Sequence, residues 1–158
     1  MGKVEDNKKK KKNAIVDSAF SLFIQNGINE TSIADIMKKA ELAKGTFYLY
    51  FKDKYDVRDY LIRRKAAQIF DKARVALVES EMKDFEEQII FLVDHILNQL
   101  DDNKMLLKFI SKNLSWGIFT HALESTPMES GETAVLFVKQ LFDRADRKFP
   151  NPEMLMFM

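Results

Sequence analysis

The residues with the clearest chemistry are lysines, hydroxyl-bearing side chains and tyrosines in the first third of the chain. Ammonium groups, hydroxyls and helix N-termini bind phosphates, and a lysine can also reach a guanine edge in the major groove. A glycine among them leaves room for a close approach. The pattern therefore predicts contacts to a polyanion. The residues that it selects are Ser32, Lys44, Gly45, Thr46, Tyr48 and Tyr50, with Lys8, Lys9, Lys10, Lys11 and Lys12.

Each of these residues also has a simpler interpretation. The five consecutive lysines at 8–12 can form a solvated, frayed tail, since runs of like charge usually do. Tyr48 can belong partly to the core. Phe47 and Phe51, in the same stretch, are assigned to the core outright.

Composition excludes several classes of protein. The 158 residues contain no Cys and two His, so a disulfide framework, a thiol nucleophile and a multi-histidine metal site are ruled out. Five Gly and three Pro are too few for the turns of an all-β sandwich. Residues 1–54 carry 11 Lys and no Arg against 7 acidic residues, whereas residues 55–158 carry 14 basic against 17 acidic residues. The basic end is the one expected to meet an anion.

No stretch reaches the roughly 18 to 20 apolar residues of a membrane span, and the polar N-terminus lacks the apolar segment of a secretory signal. We therefore expect a soluble, cytoplasmic protein with no membrane partner. There is no glycine-rich phosphate loop, nucleophile–base pair or metal set, and an enzyme is not expected.

Helical periodicity organises the first 80 residues. A first helix is predicted to end at Gly27, which suits the positive φ of a helix C-terminus. Ser32 and Asp35 have the spacing of a capping box for a short helix. A three-residue turn leads to a second short helix from Lys44 to about residue 51. Asp53 is predicted to open a long helix that continues to about residue 80.

The remaining residues also follow helical spacing. Asp84, with an acidic residue three positions later, opens a strongly amphipathic helix, and residues 125–131 are predicted to form a loop. An apolar stripe runs over Ala134–Ala145. Residues 151–153 read as another helix start, followed by five apolar residues that we expect a partner or further chain to cover.

The segment from Ile15 to Leu61 resembles the DNA-binding domain of TetR-type transcriptional regulators. Two positions depart from that pattern. Ala43 stands where the family often has a capping Ser or Thr, and Glu41 stands where a Gly is common. The features that carry the resemblance are Ala19, Phe23, Gly27, Thr31-Ser32-Ile33, Ile36, Ala40, Lys44-Gly45-Thr46-Phe47-Tyr48, Tyr50-Phe51 and Lys54.

The resemblance implies an all-α fold. A three-helix helix-turn-helix domain (9–69, with the helix-turn-helix at about 32–51) is joined by a long helix to a helical ligand-binding and dimerisation domain (70–158). It also implies that Lys54 binds a phosphate. The implied function is that of a homodimeric repressor, without a cofactor, released from a double-stranded DNA operator by a small-molecule effector. The alternative is a helical interaction module that does not bind DNA.

An effector pocket would lie in the C-terminal half, and the stripe over Ala134–Ala145 with the apolar end at residues 154–158 would supply the dimer interface. The candidate lining residues are aromatic, histidine and methionine side chains, each of which can equally be an ordinary core residue. They are Phe91, His95, Met105, Phe109, Trp116, Phe119, His121 and Phe137.

Overall fold

The computed structural model describes residues 2–113 and 115–150, without the side chains of Trp116 and Phe119. Every regular element within these ranges is helical, which confirms the all-α prediction. The helices are α1 (Lys3–Asn26), α2 (Ile33–Lys39), a 3₁₀ helix (Lys44–Leu49), α3 (Lys54–Glu79), α4 (Phe85–Asp102), α5 (Lys104–Asn113), α6 (Trp116–Ser125) and α7 (Ala134–Arg144). None of these helices is long and apolar enough to cross a membrane.

The chain divides into two compact units, Met1–Leu61 and Ile62–Met158, and α3 begins in the first and ends in the second. The predicted domain boundary between residues 69 and 70 falls inside α3, and the division into 9–69 and 70–158 stays a prediction. The predicted helix start at residues 151–153 and the apolar end at 154–158 lie outside the described residues.

The first unit is built around apolar side chains from every one of its helices. Because each of these helices buries an apolar face, tertiary packing contributes to their stability beyond intrinsic propensity, above all for the short α2 and 3₁₀ helices. The buried residues are Ile15, Val16, Ala19, Phe23, Ile36, Met37, Phe47, Phe51, Val57 and Leu61.

The second unit has its own apolar cluster, in which α3, α4 and α7 meet. Its buried members are Ala73, Leu77, Leu92, Met128, Phe137 and Leu141. The apolar stripe over Ala134–Ala145, predicted as a dimer interface, packs into the core of the unit instead. Ala134, Phe137 and Leu141 are all buried there. That part of the interface prediction is wrong for these three residues.

Local capping sets most helix ends where the sequence predicts them. Gly27 ends α1 with φ of 84°, and its N–H bonds the carbonyl of Phe23 at 3.0 Å. Asp84 opens α4 by accepting the Glu87 N–H at 3.1 Å. Both predictions are confirmed.

Two local predictions are corrected. The second short helix is a 3₁₀ helix that ends at Leu49, because Ala43 supplies no side-chain cap and the chain closes i→i+3 bonds, such as Thr46 N–H to Ala43 O at 2.9 Å. The lysines at 8–12 do not form a frayed tail, since α1 begins at Lys3 and includes them all.

The turn between α2 and the 3₁₀ helix contains a strained residue. Glu41 has φ of 56°, the left-handed region that a side chain with a Cβ disfavours by about 1–2 kcal/mol. Glu41→Gly should therefore raise the free energy of unfolding by about 0.5–1 kcal/mol, after subtracting the larger entropy that glycine has in the unfolded chain. Urea unfolding followed by circular dichroism measures the change. Glu41→Ala, which keeps the Cβ, is the matched control, and equal stability of the two variants would contradict the strain.

Candidate nucleic-acid interface

The loop that leads into α2 is held from both sides. Thr31 is buried, and its hydroxyl donates to the Gly27 carbonyl at 2.8 Å. Lys54, in the first turn of α3, donates from Nζ to the carbonyls of Asn29 at 2.9 Å and Thr31 at 3.0 Å. An ammonium has three N–H donors, so Lys54 retains one donor for a phosphate while the other two tie α3 to the loop.

The start of α2 is a complete capping box, as the sequence predicts. The Ser32 hydroxyl accepts the Asp35 N–H at 3.1 Å, and the Ser32 N–H donates to Asp35 Oδ2 at 3.0 Å. The Ser32 hydroxyl also donates its proton to the same carboxylate. These hydrogen bonds, chiefly that from the Ser32 side chain, hold the pKa of Asp35 below its ordinary value of 3.8.

The capping box has a consequence for the predicted role of Ser32. A hydroxyl has one proton to donate, and here Asp35 receives it. Ser32 can donate to a phosphate only by giving up that hydrogen bond, whereas its capping role, in which its oxygen accepts the Asp35 N–H, does not use the proton.

The 3₁₀ helix carries most of the candidate DNA-reading side chains. Lys44, Gly45 and Tyr48 are exposed, with Tyr48 exposed over 57% of its surface. Phe47 is 0% exposed and packs edge-on against the Tyr48 ring at 5.5 Å between centroids. The segment is therefore anchored by Phe47 and presents Lys44, Gly45 and Tyr48 outward. Thr46, inside the helix, and Tyr50, directly after it, are half-buried.

Sequence reasoning missed one exposed residue of this segment. Leu49 is exposed over 78% of its surface and is not among the predicted contacts, although its neighbour Tyr48 is. An exposed apolar side chain is suited to contact a thymine methyl in the major groove. The sequence held one indication of this exposure. Phe47 is the buried residue of the 3₁₀ helix, and Leu49 lies two positions after it.

The lysine run divides into two parts. Lys8, Lys9, Lys10 and Lys11 are exposed on α1. Lys12 is half-buried, and its Nζ lies 4.1 Å from the centroid of the Tyr60 ring and 5.5 Å from that of Phe51. Four of the five predicted contacts are thus open to a duplex, whereas the fifth has an intramolecular partner.

The candidate effector-pocket residues do not share one environment. Phe91 and His95 stack on α4, with ring centroids 5.8 Å apart. Phe137 is buried in the second unit's core and Phe109 is also buried, whereas Met105 and His121 are exposed. The side chains of the other two candidates, Trp116 and Phe119, lie outside the described part of the chain.

His121 has a local partner, since the Ser125 hydroxyl hydrogen-bonds its Nδ1 within α6. Across the described residues, no group of three or more His, Asp or Glu side chains is placed to hold a metal ion.

Comparison with known proteins agrees with this geometry. Residues 15–61 match the family model described as bacterial regulatory proteins, tetR family. These residues include both short helices and the capping box. The chain thus carries the N-terminal helix-turn-helix domain of the TetR family, and the resemblance seen in the sequence is confirmed.

Relatives extend the likeness beyond this domain. The fatty acid metabolism regulator protein of Bacillus subtilis is 26% identical over 153 residues, which cover 84% of this chain and 78% of the relative. The solved fatty acid degradation regulator FadR from Bacillus halodurans is 26% identical, with a TM-score of 0.59 over 84% of this chain and 66% of that one. Both relatives are named as regulators.

Two further proteins share either the fold or part of the sequence with this chain. FadR from Bacillus subtilis, solved in complex with stearoyl-CoA, shares the fold at 23% identity and a TM-score of 0.50, covering 84% of this chain and 82% of that one. The uncharacterized HTH-type regulator YuxN of Bacillus subtilis is 30% identical over 106 residues, which are 63% of this chain but 35% of the relative. The chain spans about a third of that relative's length.

The capping box predicts a pH-dependent contribution to stability. Because the folded pKa of Asp35 is lowered, this contribution is fully present above the ordinary pKa of 3.8 and is lost as the pH falls through the folded pKa. Asp35→Asn should therefore unfold at lower temperature than the unmodified chain at pH 7, and the two melting temperatures should converge below pH 3.8. Glu30→Gln, an exposed control outside the box, should melt like the unmodified chain at both pH values. If the two melting temperatures differed by the same amount at every pH, the stability that the capping box contributes would not depend on the charge of the Asp35 carboxylate.

Proposed function

We propose that this protein is a transcriptional repressor that binds a DNA operator and is released by an effector with a fatty acyl chain. The observation that carries the proposal is the 3₁₀ helix of the matched domain, where buried Phe47 supports exposed Lys44, Gly45 and Tyr48. Such an arrangement suits insertion into a major groove, with lysine and tyrosine directed at bases and phosphates. A regulator of this kind acts in the cytoplasm.

We propose that the operator is bound by a homodimer. A single short reading segment makes few contacts, and two-fold operators place half-sites about 34 Å apart, one turn of duplex. A row of apolar side chains on α4 is available for such a pairing. Ile90, Val93 and Leu97 are each more than half exposed (67%, 52% and 58%).

The proposed effector class comes from two relatives whose names concern fatty acids. An acyl chain needs an apolar environment, and in the second unit the candidates for it are partly buried apolar side chains that pack against the core cluster, such as Ile89, Phe91 and Ile96. The stacked pair Phe91 and His95 borders this cluster, because Phe91 packs against it. The repressor role is part of the proposal: the protein would block transcription while it is bound to the operator, and the effector would release it by lowering operator affinity.

DNA reading by the 3₁₀ helix can be tested with duplexes selected from a randomised pool by the unmodified protein. Lys44→Ala and Tyr48→Ala should each weaken binding by about 1–3 kcal/mol, and a variant that loses a base contact should change the preferred sequence. Fluorescence anisotropy measures the affinities. Lys39→Ala, an exposed lysine of α2 outside the predicted interface, is the control and should bind nearly normally. Normally folded Lys44 and Tyr48 variants with unchanged affinity would refute the assignment, and a complex with one chain per duplex would refute the homodimer.

The effector proposal can be tested with stearoyl-CoA as the probe. At about 100 times its dissociation constant, a ligand that binds only the folded state adds about 2.7 kcal/mol of stability, so the melting temperature should rise by several degrees. Operator affinity should fall about 5- to 150-fold in the same solution. Coenzyme A without the acyl chain is the control. A rise in melting temperature with unchanged operator affinity would contradict a role in release, and no rise at all would contradict this effector class.

A further inference from the structure

Lys12 differs from the four lysines that precede it. Its Nζ lies 4.1 Å from the Tyr60 ring centroid and 5.5 Å from that of Phe51, and the side chain is half-buried. The negative face of an aromatic ring attracts an ammonium at such distances. Lys12 therefore holds α1 against the Phe51 and Tyr60 rings, directly after the four exposed lysines.

The two rings under Lys12 are part of a longer row of aromatic contacts. Phe51 and Tyr60 meet edge-on at 5.5 Å, Phe51 lies 5.9 Å from Phe47, and Phe47 meets Tyr48 at 5.5 Å. Lys12 stands at one end of this row, and the exposed ring of Tyr48 stands at the other. The contacts thus connect the base of the lysine segment with the candidate reading helix.

When α1 is held at Lys12, helix geometry points the exposed lysines that precede it in different directions. Residues four apart share a face of an α-helix, so Lys8 lies one turn above Lys12 on the same side. Lys10 is two residues from Lys12 and points to the opposite side. A duplex approaching from one direction meets one of these two side chains and not the other. A frayed segment would present both equally.

We propose that Lys12 is a positioning residue and not a phosphate contact. Its ammonium, held on the Phe51–Tyr60 pair, fixes the direction in which α1 carries Lys8, Lys9, Lys10 and Lys11 relative to the reading helix. This proposal rests on the proposed DNA binding, because the direction of the lysines matters only to a bound duplex. The phosphate contacts of the run then come from the exposed lysines alone.

The first experiment removes the ring and leaves the charge. Tyr60→Leu keeps Lys12 intact, so a Lys12 that binds phosphate directly would be unaffected. We expect Tyr60→Leu and Lys12→Met both to lower operator affinity about 3- to 10-fold at low salt, whereas Tyr60→Phe and Lys12→Arg keep normal affinity because they keep the ring or the cation. The proposal would be overturned by two results together. Folded Tyr60→Leu would bind the operator with normal affinity, and Lys12→Met would lose about 0.9 from the slope of log binding constant against log salt concentration.

The second experiment compares Lys8→Ala with Lys10→Ala. Each neutralised phosphate contributes about 0.9 to the salt slope, so one of the two variants should lose about that amount and the other little. The same pair made in Tyr60→Leu should give equal slopes, because the lysine segment is no longer directed. Equal slopes in the unmodified background would show that Lys12 does not fix the segment.

A measurement without DNA separates this proposal from the proposed function. Ring currents of Tyr60 and Phe51 should move the Lys12 ε-methylene proton resonances upfield in the free protein, and Tyr60→Leu should reduce that shift. Amide exchange at residues 8–11 should also become faster in Tyr60→Leu. Unshifted Lys12 resonances would overturn the proposal, whatever the DNA experiments show. Shifted resonances in a protein that binds no selected duplex would instead show that the proposed function has failed.

Discussion

The reading segment depends on the burial of one side chain, Phe47. A six-residue 3₁₀ helix has poor hydrogen-bond geometry and too few bonds to be stable alone, and Ala43 gives it no side-chain cap. Phe47 is 0% exposed and touches Tyr48 and Phe51 through its ring. Phe47 fixes the inner side of the helix, and the adjacent Tyr48 and Leu49 lie exposed beside it, whereas Thr46 is half-buried. The outward position of Tyr48 thus follows from an apolar anchor.

The sequence predicted those features that depend on residues close together in the chain. The Ser32–Asp35 box, the end of α1 at Gly27 and the start of α4 at Asp84 all follow from rules that span three or four residues. The partners of the long side chains could not be predicted in this way. Lys54 bonds carbonyls 23 and 25 residues away, and only the packed unit determines which carbonyls lie within its reach.

In the second unit, too, the sequence pattern predicts a buried face but not what covers it. Amphipathic spacing predicts that Phe137 and Leu141 share a buried face, and it cannot say whether a ligand, a second chain or the unit's own core covers that face. The core covers it here, through Ala73, Leu77 and Leu92. The helices of this unit were therefore predictable, whereas the residues of an effector pocket were not.

For the effector that we propose, one continuous element could connect its binding in the second unit to the first unit. Helix α3 has 26 residues, about 39 Å, and includes residues of both units. Its first residue, Lys54, bonds the Asn29 and Thr31 carbonyls in the loop that ends at the capping box of α2. A displacement of α3 therefore either breaks these two bonds or moves the loop and α2 with it. In the proposed homodimer the second course would change the spacing of the two DNA-binding units and leave the Lys54 hydrogen bonds intact, which is a switch by spacing rather than by local unfolding.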